Sequence, residues 1–388
     1  MNKALSIVLV IAVLLGVVGC SAPAPTAAPA APAAPAAATQ APAAAPTAAP
    51  AAPAEDPVKG KTIGFINAGP DDYYAQFGDA LKAIAAAEGM NVVELNSDYK
   101  PEKELANVQD LVARGVDAIA VITAGAAGSA ASIKAAYDAK VPIFFIAGKP
   151  ELMEGTDVTG HVTDNFVILG YQLGKWVAEN YPKTKCVQIP GFLGQGTAEG
   201  QIVGFNLGLT EGGNEECKVL KSSEWQSEKA IPIAQDLIAS GEEFDVIFGA
   251  NGETVRGILQ VFDELGVKDK VVVSINGKEE EWEWLKDGRE MATVPNPPSL
   301  NADLAVQQIM QHFKGEPFVQ YLQIKPFAVI TKDNVGEAVP WNTQNYLAGR
   351  ATNSFKWQLS YYEEQFKANE QMFVDFDAKL AEYMKTQQ

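Results

Sequence analysis

Pro101-Glu-Lys-Glu-Leu-Ala-Asn-Val-Gln-Asp-Leu-Val-Ala-Arg-Gly115, followed directly by Val116-Asp-Ala-Ile-Ala-Val-Ile-Thr123, is the stretch on which the fold turns. Proline suits a first helical turn, where the amide it lacks has no partner. Leu105, Val108, Leu111 and Val112 recur at helical spacing on one side, and Gly115 supplies the stop. Ala118 to Thr123 is then apolar without alternation, the pattern of a strand covered on both faces. A helix that hands over to such a strand is half of a βαβ unit.

Working outward, the same alternation runs from Lys61 to about Ile330. Strands are predicted at Thr62 to Ile66, Val92 to Leu95, Ala118 to Thr123, Pro142 to Ala147, Cys186 to Ile189, Val219 to Lys221, Val246 to Gly249 and Val271 to Ile275, with helices between them. The strands fall in two batches. Between them Gly155 to Asp164, rich in Thr, Gly and Asp, reads as an extended strand crossing a hinge. After the second batch, Met291-Ala-Thr-Val-Pro295, Asn296-Pro-Pro and a helix from Asn301 to Phe313 fit a chain returning to its first half, with a third crossing near Gln320 to Phe327. The expected fold is α/β: two doubly wound parallel-sheet lobes joined by a multi-strand hinge. The first lobe takes residues 58–163 and 297–322, the second 164–296 and 323–335. Residues 336–388 form a C-terminal helical extension, in which Phe366, Phe373, Phe376, Leu380 and Tyr383 recur at helical spacing and are expected to pack on the body.

Ahead of this body, Lys3 precedes an apolar stretch from Ala4 to Val18 that is too short for a membrane-spanning helix of roughly 20 residues and has the build of a secretory signal. Val17-Val-Gly-Cys20 resembles a bacterial lipobox, so residues 1–20 read as a lipoprotein signal with Cys20 acylated. Residues 21–57, almost wholly Ala, Pro, Thr and Ser, read as an extended linker. At about 3 Å per residue it spans on the order of 100 Å. The expected location is outside the cytoplasm, anchored by lipid to the membrane on its periplasmic or extracellular face.

A net charge of −18 and a pI near 4.6, with no cluster of Lys or Arg, exclude a nucleic-acid partner. Beyond Cys20 the cysteines are Cys186 and Cys217, each opening a predicted strand; if those strands are neighbours the two are within disulfide reach, and otherwise they are reduced thiols.

Ligands of open α/β sheets bind beyond the carboxyl ends of the strands. Those ends carry Asp71, Tyr73 and Tyr74 after the first strand, Gly148 and Lys149 after the fourth, and Gln201 after the first strand of the second lobe, followed by Trp225, Asn251, Asn276 and Asn296. Amides offer a donor and an acceptor to vicinal hydroxyls, and aromatic faces cover the C–H surface of a ring. The plainer readings are that Asp71 caps a helix and Asn251 makes a turn. Catalysis finds little support: His161 lies in the expected hinge and His312 on a helix, neither with a Ser, Cys or metal-ligand partnership. Gly194-Gln-Gly196-Thr-Ala-Glu-Gly200 misses the dinucleotide fingerprint by one position and lacks its acidic residue. No cofactor or metal is expected.

Glu104 to Ile119, Val141-Pro-Ile, Thr163-Asp-Asn165, Asp245-Val-Ile-Phe-Gly-Ala-Asn251, Val271 to Gly277 and Ile330-Thr-Lys-Asp-Asn-Val335 resemble the type I periplasmic sugar-binding proteins of ABC transporters, the group of ribose-binding protein, which share their fold with LacI-type effector domains. The resemblance implies an aromatic pair, Tyr73 and Tyr74, with Asp71 beside it, Trp225 as the aromatic of the second lobe, and Asn251 as the asparagine after its strand. It also marks departures. Asn276 stands where sugar binders usually carry aspartate, Asn296 where they often carry glutamine, Gln201 where they often carry arginine, and the family's Asp-Arg pair falls on Ala147 and Gly148. The implied function is capture of a small neutral ligand, a sugar or polyol first, by hinge closure of a monomer, with delivery to a membrane permease. The alternative is a sensory receptor for a nucleoside or another small signal molecule.

Overall fold

The computed structural model describes residues 56–148, 150–352 and 354–387. Cys20 and its lipobox, the linker up to residue 55, and Lys149 lie outside the described residues. No described helix is long and apolar enough to cross a membrane.

The first batch of units runs β1 (Thr62–Asn67), α1 (Asp72–Ala87), β2 (Asn91–Asn96), α2 (Pro101–Arg114), β3 (Ala118–Val121), α3 (Ala126–Ala139), β4 (Ile143–Ile146) and β5 (Gly160–Asp164). The second runs α4 (Phe166–Asn180), β6 (Cys186–Ile189), α5 (Thr197–Glu211), β7 (Lys218–Val219), α6 (Ser227–Ala239), β8 (Val246–Gly249), α7 (Gly252–Leu265), β9 (Val271–Asn276), α8 (Glu279–Asp287) and β10 (Ala292–Pro295). Then come α9 (Pro298–Lys314), β11 (Tyr321–Ile324), α10 (Thr343–Thr352), α11 (Leu359–Ala368) and α12 (Glu370–Thr386). The strands form two parallel sheets, β11-β5-β4-β3-β1-β2 and β10-β9-β8-β6-β7.

The α2 helix spans Pro101 to Arg114, and Gly115 closes it at φ +73°. Each sheet is buried on both faces because successive side chains alternate between them. In β1, Ile63 and Phe65 join α1 and α9 in one core, and Ile66 joins α2 and α3 in the other. In the second lobe, Phe248 and Val273 pack toward α4 and α5, and Ile247 and Val272 toward α6 and α7. A disulfide joins Cys186 to Cys217, whose Cα atoms lie 4.5 Å apart where β6 and β7 pair.

Three segments differ from expectation. The stretch read as a hinge crossing contains β5, a full strand between β4 and β11 in the first sheet, and the chain changes lobes only at Asn165. The third crossing lies after Ile324, where Ile330 bridges Thr293 on the edge of the second sheet. The single helix expected over Phe366 to Met384 breaks at Asn369 into α11 and α12.

Two helices of the second lobe meet without intervening side chains. Gly170 and Gly174 on α4 face Gly204 and Gly208 on α5, and a Cβ added at Gly204 would collide with the Val167 carbonyl oxygen. In open solvent Gly204→Ala gains about 1 kcal/mol of helix propensity. Here overpacking against backbone costs more, and the variant is expected to lose about 2 to 3 kcal/mol in urea unfolding. Wild-type stability would show that the helices separate freely.

Candidate functional site

Parallel pairing brings the strand carboxyl ends of the two sheets to one interlobe cleft. From the first lobe it is lined by Asp71, Tyr73 and Tyr74 after β1, Ile122 and Thr123 after β3, and Ala147 and Gly148 after β4, with Phe166 at the crossover. The second lobe adds Gln195, Thr197 and Gln201 after β6, then Trp225 and Asn251 after β7 and β8, Asn276 at the end of β9 and Asn296 after β10. These residues bound about 540 Å³ of empty space, solvent at the mouth included. Nine of the ten residues expected at the site lie together here, and the tenth, Lys149, is outside the described residues.

Several lining residues hold the site's own frame as well. Asp71 is the N-cap of α1, accepting from the Tyr74 amide at 3.2 Å, and it also accepts from the Tyr99 hydroxyl. Asn67 at the end of β1 donates to the Tyr74 carbonyl at 2.8 Å and so sets the Tyr73-Tyr74 pair. Asn251 is largely committed to the frame: its Oδ1 accepts from the Thr254 amide and hydroxyl at 2.9 and 2.6 Å, and its Nδ2 donates to the Trp225 carbonyl at 3.3 Å. That bond fixes Trp225 at φ +67°, with its ring over Gly191, where a Cβ would strike it. Ala147 and Gly148, at φ +51° and +59°, are held by His161, whose Nε2 lies 2.7 Å from the Gly148 carbonyl. His161 is thus a support on β5.

The lobes touch across the cleft. Gln195 Nε2 reaches the Tyr74 hydroxyl at 3.5 Å and the Thr123 carbonyl at 3.3 Å, and Tyr73 donates to Asn296 Oδ1 at 3.4 Å. Tyr99 stacks on Phe192 at the rim, centroids 4.8 Å apart and planes 19° from parallel. Gln195 and Thr197 lie in the Gly194 to Gln201 segment that the sequence places at a strand end, whereas Tyr99, Phe192 and Phe166 are not among the residues it singles out. All but Phe166 follow strand ends by the same rule that selected their neighbours, and Phe166 stands just past β5, the strand taken for a hinge.

Asp71 is the one carboxylic acid among the described lining residues, and the rest of the lining is neutral. No Lys, Arg or His is among the described lining residues. Burial, opposed by the Tyr99 hydrogen bond, pushes the Asp71 carboxyl up to about 6. Burial likewise raises the Tyr73 and Tyr74 hydroxyls, keeping them protonated donors. Three buried polar atoms of lining residues have no hydrogen-bond partner among the described residues: Gln195 Oε1, Gln201 Oε1 and Trp225 Nε1. Leaving such groups unmade costs about 1 to 3 kcal/mol each, a cost that a ligand with donors and acceptors offsets. Among the described residues no group of His, Cys, Asp and Glu could hold a metal ion.

Residues 63–317 match the family described as the periplasmic binding protein domain. The ribose import binding protein RbsB of Salmonella typhimurium is 26% identical over 247 residues, 63% of this chain and 81% of its own length. The fructose import binding protein FruE of Bifidobacterium longum is 24% identical over 297 residues, 74% of this chain and 89% of its own. The arabinose ABC transporter binding protein of Shewanella sp. ANA-3, solved with L-arabinofuranose, superposes with a TM-score of 0.66 at 21% identity, covering 75% of this chain and 97% of that one.

At the crossover, Asp164 is 2% exposed and burial pushes its carboxyl from an ordinary 3.8 up to about 6, against a hydrogen bond from Asn301 at 2.7 Å. Between about pH 4 and 6 the folded chain keeps a proton that the unfolded chain has released, so this group's contribution to stability falls as pH rises through that window and is constant above it. Asp164→Asn, uncharged and of the same shape, removes the penalty. Its stability relative to wild type is expected to grow from pH 4 to pH 6 by on the order of 3 kcal/mol, then to stay level. A difference independent of pH in chemical unfolding would refute the assignment.

Proposed function

Because the chain belongs to the periplasmic binding protein domain family, we propose that it is an exported solute receptor that closes on a neutral sugar or polyol and delivers it to an ABC import permease. The observation that carries the reading is a set of unpartnered neutral groups that the second lobe turns into one cleft, opposite the tyrosine rings of the first. Gln195 and Gln201 present acceptors and Trp225 presents a donor, beside the rings of Tyr73, Tyr74 and Phe166. Hydroxyls supply both kinds of partner from one small molecule, and the apolar face of a sugar ring suits aromatic walls. A carboxylate ligand would meet Asp71 with no described cation to balance it.

Relatives that import ribose and fructose and a structural neighbour holding arabinofuranose support this class. Transfer without chemistry agrees with the site: its described side chains suit hydroxyls and present no nucleophile paired with a base. Contacts to both lobes make closure depend on the ligand, since only a molecule touching both sides favours the closed state. In this reading Cys20 carries the lipid anchor, residues 21–57 tether a monomeric body to the membrane, and the ligand is passed on unaltered.

Gln201→Leu separates recognition from folding. Removing an unpartnered buried acceptor is expected to leave the ligand-free melting temperature unchanged or slightly higher. Binding of D-ribose, D-fructose, L-arabinose or myo-inositol, whichever the wild type takes in calorimetry, is expected to weaken at least about tenfold. Asn251→Ala should instead lower the ligand-free stability by about 1 kcal/mol through loss of its cap. A wild type that binds none of the four, folded and monodisperse, would contradict the sugar reading.

A further inference from the structure

The chain continues beyond the family match, and Trp341 in that continuation touches residues that line the cleft. Trp341, 3% exposed, sits where the two lobes meet. Its ring stands edge-on to Tyr73 of the first lobe, centroids 5.4 Å apart at 80°. Its Nε1 donates to the carbonyl of Asn276 in the second lobe at 3.0 Å. Both neighbours line the cleft. The Asn276 backbone stands at φ +124°, and its carbonyl takes a second hydrogen bond from the Asn296 amide at 2.9 Å, while Asn296 in turn accepts from Tyr73. Tyr73, Asn296, Asn276 and Trp341 thus form a closed ring of contacts across the interlobe seam.

The segment carrying Trp341 is fixed on both sides. Ser299 of the first lobe donates to the Pro340 carbonyl at 2.8 Å, and the Asn342 amide donates to Glu279 of the second lobe at 3.0 Å. Downstream, α10, α11 and the turn between them seat Tyr346, Trp357, Leu359 and Tyr362 in the first lobe's core, and α12 lays Phe373 and Phe376 on Ile168 and Leu207 of the second. An unstrained asparagine needs no such support. One held at φ +124° does, because the strained conformation persists only where its surroundings impose it.

We propose that Trp341 is a positioning residue of the ligand site, pinning Tyr73 and Asn276 from opposite lobes in the geometry that receives the ligand. The inference rests on the receptor reading above. Trp341→Phe keeps the ring against Tyr73 and removes the donor to Asn276, Trp341→Ala removes both, and Phe373→Ala loosens the extension far from the cleft. In calorimetry with the probe sugar that the wild type binds best, Trp341→Phe is expected to weaken affinity about 5- to 10-fold, Trp341→Ala more, and Phe373→Ala not at all, even where its melting temperature falls as far.

Hydrogen exchange of the ligand-free protein supplies the second arm. Trp341→Phe should speed exchange in residues 274–278 and 294–297, in the second lobe, while Phe373→Ala leaves both unchanged. Wild-type affinity in Trp341→Phe, or faster exchange confined to residues 336–345, would overturn the proposal. If no probe sugar binds the wild type, the sugar reading fails on its own account and the exchange arm still decides the role of Trp341.

Discussion

Parallel strand pairing is the constraint from which the site follows. When every strand of a sheet points the same way, all the loops leaving its carboxyl ends share one edge, and none of them is consumed by a hairpin. Both sheets turn back on themselves in the same place: β1 lies between β2 and β3, and β6 between β7 and β8. The loops flanking that switch must diverge to opposite faces, which opens a crevice that backbone cannot fill. Asp71, Tyr73 and Tyr74 border one such crevice with Thr123, and Gln195, Thr197 and Gln201 border the other with Asn251. Two sheets facing edge to edge turn two crevices into one cleft.

The lobes solve the same local problem with the same device. In each, a glycine two residues past the first strand leaves room for an aromatic ring that follows the second strand: Gly69 for Tyr99, Gly191 for Trp225. Each ring sits on a residue of positive φ, +56° and +67°, and each is preceded by an acidic residue also at positive φ, Asp98 and Glu224. Such conformations cost of order 1 to 3 kcal/mol and persist where the surroundings impose them. The outcomes then diverge: Tyr99 turns its hydroxyl to Asp71 and its face to Phe192, closing the rim, while Trp225 keeps a free N–H inside the cleft. The repeated backbone sets the place of a ring, and the neighbouring side chains set its task.

How far the sequence could be read depended on the range of the interaction involved. Strands and helices whose periodicity is local, such as α2 with its proline and glycine ends, were legible almost to the residue. The cleft was legible because topology assigns loops to it before any packing is known, which is why Asn276 and Asn296 could be placed without a contact in hand. What stayed hidden depends on pairing between distant segments. Gly155 to Asp164 carries too few apolar residues to announce a central strand, yet β4 and β11 cover it on both sides. The closeness of α4 and α5 rests on glycines in each helix that meet only after folding. Trp341 belongs to the site through a contact between residues more than 60 positions apart.

A cleft without charged clamps changes where binding energy comes from. A hydrogen bond to a charged group contributes about 1.5 to 3 kcal/mol and a neutral one about 0.5 to 1.5, so amides at Gln201 and Asn276 yield less per contact than arginine or aspartate would. The remainder must come from ordering the site beforehand, since every side chain frozen only on binding subtracts roughly 0.5 to 1.5 kcal/mol. The frame described above does this residue by residue: Asn67 holds Tyr74, Asn251 holds Trp225, His161 holds the loop at Gly148, and Trp341 holds Asn276. The same logic gives the C-terminal extension a reason to cross between lobes. Tyr346 donates to the buried Asp303 at 2.8 Å and Arg350 pairs with that carboxylate at 3.0 Å, anchoring the extension to the first lobe, while Lys379 pairs with Glu211 at 2.9 Å on the second. Every added connection between the lobes narrows the range of open geometries, and a neutral ligand, which cannot pull a loose site into shape with charge, gains most from that narrowing.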